Sequence, residues 1–228
     1  MSDKLLTSNL FQTAQAELPE LIKNLFAGSK FPWEILPKIK ETVTELVKNT
    51  PEKERLSGDI SDKAMILSKD VVIEKGAKVE GLAYIDGPTY ISSGATIRHG
   101  AYIRGGVFIG KDCVAGHTTE IKDSLLLNGS KAAHFAYLGN SILGQNVNLG
   151  AGTKLANLRL DHRNILIRYE GETIDTGLKK FGAIFSDGAQ SGCNSVTNPG
   201  TLLLNSSALL PTKCGSGVID NKLGLVKR

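Results

Sequence analysis

The sequence predicts a mainly β protein: a parallel β-helix of hexapeptide repeats over residues 57–228, preceded by a small α-helical N-terminal cap over residues 1–56. Three observations predict it. From Leu67 a large aliphatic residue recurs every six positions, at Ile73, Val79, Ile85, Ile91, Ile97, Ile103, Ile109, Ile121 and Leu127, with only Ala115 small. Four residues after each step lies a mostly small residue: Val71, Ala77, Ala83, Thr89, Ala95, Ala101, Val107, Cys113, Thr119 and Leu125. Neither an α-helix, with a period of about 3.6, nor a simple strand, with a period of about 2, generates a step of six. The third observation is compositional, with 25 glycines in 228 residues and only 6% aromatic residues. Narrow coils with glycine at their corners leave little room for rings, and Cys113 then reads as a small core residue.

The elements follow in order. In the first segment Ile35, Leu36, Ile39, Val43, Leu46 and Val47 share one helical face, with Pro51 just past its end. Ser8 is expected as an N-cap, Pro19 in the first turn of a second short helix, and Gly28 as its stop. The coils then run to Leu127. A break is expected at 128–137, resumption at Leu138, Leu143, Leu149 and Leu155, and a polar excursion at 158–180. A weaker set closes the chain at Phe185, Ser191, Thr197, Leu203 and Leu209. Each coil touches only its neighbours, so loops can leave the stack without unravelling it, and such loops often carry function.

Composition excludes several classes. With 41% hydrophobic and 22% charged residues the chain is neither disordered nor fibrous. No apolar run reaches the roughly 18 residues that span a bilayer, and the start lacks the pattern of a signal peptide, so a cytoplasmic protein without membrane contact is expected. Cys113, Cys193 and Cys214 form no CxxC pair, which argues against a disulfide framework or zinc site. The net charge of +4 comes without a Lys/Arg block. It suits small anionic ligands and not nucleic acid.

Of the four histidines, His99 and His117 fall within regular hexads and His162 in a charged loop. His134 lies in the expected break, in Gly129-Ser-Lys-Ala-Ala-His-Phe-Ala-Tyr-Leu-Gly-Asn140. By itself a histidine among small residues is more often structural than a base. The run AGHTTEIKDSLLLNGSKAAHFAYLGNSILGQNVNLGAGTKLANLRLD, residues 115–161, however, resembles the acetyltransferase domain of bifunctional N-acetylglucosamine-1-phosphate uridyltransferases. The GSKAxH-x-x-YLG, NVNxGAGT and AN elements match in order and spacing. ANLR, the insert ending DTGLKKFG, and SGCNSVTNPG are similar to the archaeal type.

The resemblance covers roughly residues 60–215 and implies a left-handed β-helix, an exception to the usual right-handed crossover, assembled as a homotrimer with sites between subunits. It implies acetyl-CoA as donor, no metal, and an amino-sugar phosphate as acceptor, glucosamine-1-phosphate being the type. His134 would be the general base for the 2-amino group and Glu120 would orient it. Arg104 and Lys122 would hold the sugar phosphate, Tyr137 and Asn148 the sugar, and Asn157 would lie beside the acetyl group. Arg163 stands in place of a lysine, and a backbone N–H near Ala151 would meet the thioester oxyanion.

Two departures stand beside the match. The nucleotide-binding half is not expected upstream of residue 57, where the helical segment takes the space, and Gly150–Lys154 stays on the six-residue step and is not a phosphate loop. In the C-terminal coils the family's aliphatic-Gly steps read Phe185-Ser186, Thr197-Asn198, Leu203-Leu204 and Leu209-Leu210, so the donor half is altered. A second reading is therefore a non-catalytic trimeric module that binds a sugar nucleotide or partners a separate nucleotidyltransferase chain. A zinc carbonic anhydrase of similar coil is set aside, because the residue five after His134 is Gly139.

Overall fold

A computed structural model describes residues 3–221. The hexads wind into three parallel sheets of eight strands each, in the left-handed coil that the resemblance implies. The first face runs from Asp59–Ile60 to Ala208–Leu209, the second from Met65–Ile66 to Cys214–Gly215, and the third from Val71–Ile73 to Val218–Ile219. Each coil contributes one short strand to each face and pairs with the coils before and after it. Residues one coil apart therefore stack at about 4.8 Å, the inter-strand distance of any sheet.

The interior is filled as the period demands. Ile73, Ile85, Ile91, Ile97, Ile103 and Ile109 are fully buried, with Ala77, Ala83, Ala95 and Cys113 between them. Burial pushes the Cys113 thiol up to about 11, and its Sγ–H donates to Leu127 O at 3.1 Å. It is a packing residue and not a nucleophile.

The six-residue frame slips at defined places. Leu67 is 52% exposed, and its neighbour Ile66 packs against the core instead. Past Ile121 the coil shortens by one residue at Asp123, where φ is 44°, so Leu126 enters the core and Leu127 points out of it. The expected break at 128–137 is overturned. Lys131–His134 is a regular strand between Val114–His117 and Asn148–Leu149, with Ala132 at the inward position. What reads as a loop in the sequence is a contraction of the coil. Between Leu155 and Phe181 the chain does leave the stack, forming an antiparallel hairpin of Leu166–Tyr169 and Glu172–Asp175 whose base is closed by the Leu158–Lys180 bridge.

Three α-helices precede the coils: α1 (Thr7–Leu10), α2 (Glu20–Ala27) and α3 (Ile39–Asn49). Ser8 lies inside α1, whose N-cap position is taken by Leu6, and caps nothing. Pro19 stands just ahead of α2, and Gly28 ends it, its N–H donating to Asn24 O at 2.9 Å. The apolar face of α3 buries Ile39, Val43, Leu46 and Val47. These helices do not close an end of the coil; they lie along its third face. There Phe108, Leu125, Ile142, Ile184 and Leu202 point outward and join Phe26, Trp33 and Ile39 in one buried cluster. The third-face strands Val107–Ile109, Ser124–Leu126 and Thr201–Leu203 are accordingly buried at every position, as strands covered on both sides are.

Polar anchors fix the register of this packing. Asp187 accepts the N–H groups of Gln12 and Gln145, each at 2.8 Å, and burial raises the pKa of its carboxyl. Asn128 and Asn205 donate to Glu17 O and Asn9 O. The first and second faces are left uncovered by the helices. No helix among the described residues is long and apolar enough to cross a membrane.

Phe108 joins helices to coils and is fully buried. Phe108→Ala is expected to cost about 3–5 kcal/mol in denaturant unfolding; a loss under ~1 kcal/mol would show that the helices pack elsewhere.

Candidate functional site

Parallel in-register stacking turns residues one coil apart into outward columns. On the second face Tyr84, Tyr102, Glu120, Tyr137 and Lys154 form one such column. Beside it stand Asp86, Arg104, Lys122 and Gly139. Arg104 Nη1 donates to Glu120 Oε1 at 2.6 Å, and its guanidinium lies 5.6 Å from the centre of the Tyr102 ring. Lys122 Nζ is 3.9 Å from Asp123 Oδ2. Tyr137 Oη donates to Asn157 Oδ1 at 3.4 Å, and Asn157 Nδ2 donates to Asn140 Oδ1 at 2.7 Å. Burial, and then the Glu120 charge, raise the pKa of the Tyr137 hydroxyl, so it remains a neutral donor.

Gly139 makes this arrangement possible. A Cβ there would lie 2.7 Å from both Tyr137 Oη and Asn157 Nδ2. Its missing side chain is what lets the Tyr137 hydroxyl and the Asn157 amide meet above Lys122.

His134 ends its first-face strand at the corner that leads to Tyr137. It is exposed and pairs in register with His117, whose ring centre is 4.4 Å from that of His99. Gly116 permits the close approach of these coils, since a Cβ there would meet Ala133 O at 1.7 Å. No hydrogen bond joins Glu120 to His134 among the described residues. Glu120 is instead held by Arg104, so the expected orienting contact is not made in this chain. Asn148 also lies on the first face, beside Lys131. Ala151 follows at the next corner; its carbonyl accepts Asn194 N–H at 2.7 Å and its own N–H meets no acceptor among the described residues.

Arg163 lies in the insert. Its N–H donates to Asp161 Oδ1 at 3.2 Å, while Arg159 grips both oxygens of Asp161, at 2.8 and 2.6 Å. Hydrogen bonding from Arg159 holds the Asp161 carboxyl far below the usual carboxylate range. The expected site thus divides. Arg104, Glu120, Lys122, Tyr137 and Asn157 form one group on the second face. His134, Asn148 and Ala151 lie on the first face and its corner.

The altered C-terminal steps also have a structural explanation. Leu204 is buried in the cluster that includes Leu10 of α1, and Ser186 is buried, so neither faces a groove. Asn198 and Leu210 do remain exposed. The sequence reading missed Tyr102 and Tyr84, although their places one and two coils before Glu120 were visible.

The coil and its stacked outward columns define a hexapeptide-repeat protein. The chain matches the GMPPB C-terminal domain family over residues 85–214, more than half its length, and belongs to that family. It is 38% identical over 85 residues to a bifunctional sugar-1-phosphate nucleotidylyltransferase/acetyltransferase of Sulfurisphaera tokodaii, covering 37% of this chain and 21% of that protein. It is 34% identical over 108 residues to the bifunctional protein GlmU of Methanococcus maripaludis, covering 47% of this chain and 25% of that protein. The chain therefore spans a quarter or less of the length of these relatives. Among solved structures, a hexapeptide transferase family protein from Anaplasma phagocytophilum aligns with 17% identity over 71% of this chain and 75% of that one, at a TM-score of 0.38.

Arg104 and Glu120 side chains are more than a third exposed, at 39% and 34%. Exposed pairs contribute ~0.2–1 kcal/mol to stability, so a double-mutant cycle with Arg104→Ala and Glu120→Ala is expected to give a coupling in that range. A coupling above ~2 kcal/mol would make the pair structural and unavailable to a ligand.

Proposed function

We propose that the chain is the acetyltransferase component of amino-sugar activation, transferring an acetyl group from acetyl-CoA to the amine of an amino-sugar phosphate such as glucosamine-1-phosphate. The observation that carries the reading is the second-face group of Arg104, Glu120, Lys122, Tyr137 and Asn157. Arg104 and Lys122 take the phosphate by charge-assisted hydrogen bonds, and Tyr137 with Asn157 takes the sugar. The name of the Sulfurisphaera tokodaii relative supports acetyl transfer and sugar-1-phosphate chemistry at the level of class.

The first-face group completes the site when the first face of one copy packs against the second face of another, and a homotrimer closes this arrangement. In that assembly His134 removes a proton from the neutral 2-amino group as its nitrogen bonds to the thioester carbonyl. The oxyanion rests on the Ala151 N–H. Collapse breaks the C–S bond, and the proton held by His134 goes to the departing coenzyme A thiolate, leaving an N-acetyl sugar phosphate and a free thiol. Asn157 lies beside the acetyl group, Asn148 contacts the sugar, and Arg163 reaches across from its insert loop. No step needs a metal. A separate nucleotidyltransferase chain would supply the second activity that the Sulfurisphaera tokodaii relative's name contains, and a cytoplasmic setting fits both co-substrates.

One observation favours binding without transfer, namely that Arg104 and not His134 holds Glu120. Thiol release from acetyl-CoA with glucosamine-1-phosphate decides between the two. The transfer reading expects release that His134→Ala lowers by about 100-fold or more, and an Arg104→Ala variant whose KM for the sugar phosphate rises about tenfold through loss of a charged hydrogen bond. Wild-type protein that binds the sugar phosphate and releases no thiol would establish the non-catalytic module.

A further inference from the structure

We propose that the acceptor or product this face is built for is nucleotide-linked, an amino sugar joined through a diphosphate to a nucleoside whose base stacks on the Tyr102–Tyr84 pair below the phosphate subsite. The proposal rests on the acetyl-acceptor reading of the second face and extends the same column downward.

Order along the column carries the argument. Tyr137 and Asn157 hold the sugar on the upper coil, and Lys122 and Arg104 stand on the next two coils down. Tyr102 follows on the coil of Arg104, and Tyr84 lies one coil lower, in register with it. At about 4.8 Å per coil, Tyr102 lies about 10 Å below Tyr137. Past Glu120, which stands between them, a group bonded to the far side of a phosphate held by Arg104 is within reach of that ring. The Arg104 guanidinium already sits over Tyr102, 5.6 Å from its centre, so the phosphate cation and the ring form one surface.

Three further features match a nucleoside diphosphate. Tyr102 is 43% exposed, although aromatic residues make up only 6% of this chain and its narrow core needs none on the outside. Tyr84 supports it edge to face, with ring centres 5.1 Å apart and planes at 85°, which fixes the orientation of the platform. Arg104 and Lys122, on successive coils about 4.8 Å apart, set two cations along the direction in which a second phosphoryl group would extend. Asp86 pairs in register with Arg104; one of its oxygens accepts Gly87 N–H at 2.8 Å and the other is left as an acceptor for ribose hydroxyls. Stacking on tyrosine tolerates any base, so the column selects the nucleotide class and not the base.

The test is titration calorimetry of the full chain with UDP-N-acetylglucosamine and with N-acetylglucosamine-1-phosphate as probes, in wild type, Tyr102→Ala and Tyr102→Phe, with light scattering on each protein. The nucleotide-linked sugar is expected to bind wild type and Tyr102→Phe roughly tenfold more tightly than the sugar phosphate, through base stacking. Tyr102→Ala should abolish that preference. Equal affinities in wild type, with both ligands bound, overturn the nucleotide proposal and leave the sugar-phosphate reading intact. Failure to bind either probe overturns both. A Tyr102→Ala protein that changes its assembly state and keeps the preference assigns the tyrosines to an interface between copies and also overturns the proposal.

Discussion

The rest of the structure depends on the narrowness of the coil. Each turn places one large, mostly aliphatic side chain and one small one inward on each face, with Phe185 the one ring in that interior cluster, so no charge turns into the core, and successive coils are locked in register by their backbone ladders. Outward residues therefore form fixed columns about 4.8 Å apart per coil. Arg104, Glu120 and Tyr137 are neighbours because they lie on consecutive coils, not because a loop folds them together. A binding face built this way is preorganised, since moving one residue requires moving its coil.

Most of this was legible in the sequence because a step of six has no other common origin. Arg104, Glu120, Lys122, Tyr137 and Asn157 were legible only through the family resemblance; that they share one face follows from the coil. Two kinds of feature were not. A coil shortened by one residue at Asp123 shifts Leu126 inward and Leu127 outward, and a strict six-step count reads that shift as a loop. The helices' place was hidden as well. Phe108, Leu125 and Leu202 are outward residues whose burial depends on a segment far away in sequence, and nothing local says which face the helices cover. The separation of His134 and Asn148 from the second-face group was likewise invisible, because spacing along the chain does not tell which side of a corner a side chain occupies.

Covering the third face has consequences for function. It removes one side of the prism from ligand contact and leaves two, on which the two halves of the expected site are found. It also explains part of the altered C-terminal pattern: Leu204 replaces a corner glycine because it packs beneath α1, and the Leu203-Leu204 step reports helix packing and not loss of a donor groove. Thr153 and Ser191 hydroxyls meet at 2.9 Å where the upper coils carry polar interior residues. The Thr197 hydroxyl is buried without a partner. Such groups weaken the packing of the coils nearest the insert.

The central claim is that the second face binds an amino-sugar phosphate between Arg104 and Tyr137. A crystal structure of the protein grown with N-acetylglucosamine-1-phosphate addresses it most directly. The account predicts phosphate oxygens within hydrogen-bond distance of Arg104 and Lys122, with the sugar hydroxyls against Tyr137 and Asn157 and Glu120 released from Arg104. Ligand bound at another face, with the Arg104–Glu120 pair undisturbed, would contradict it.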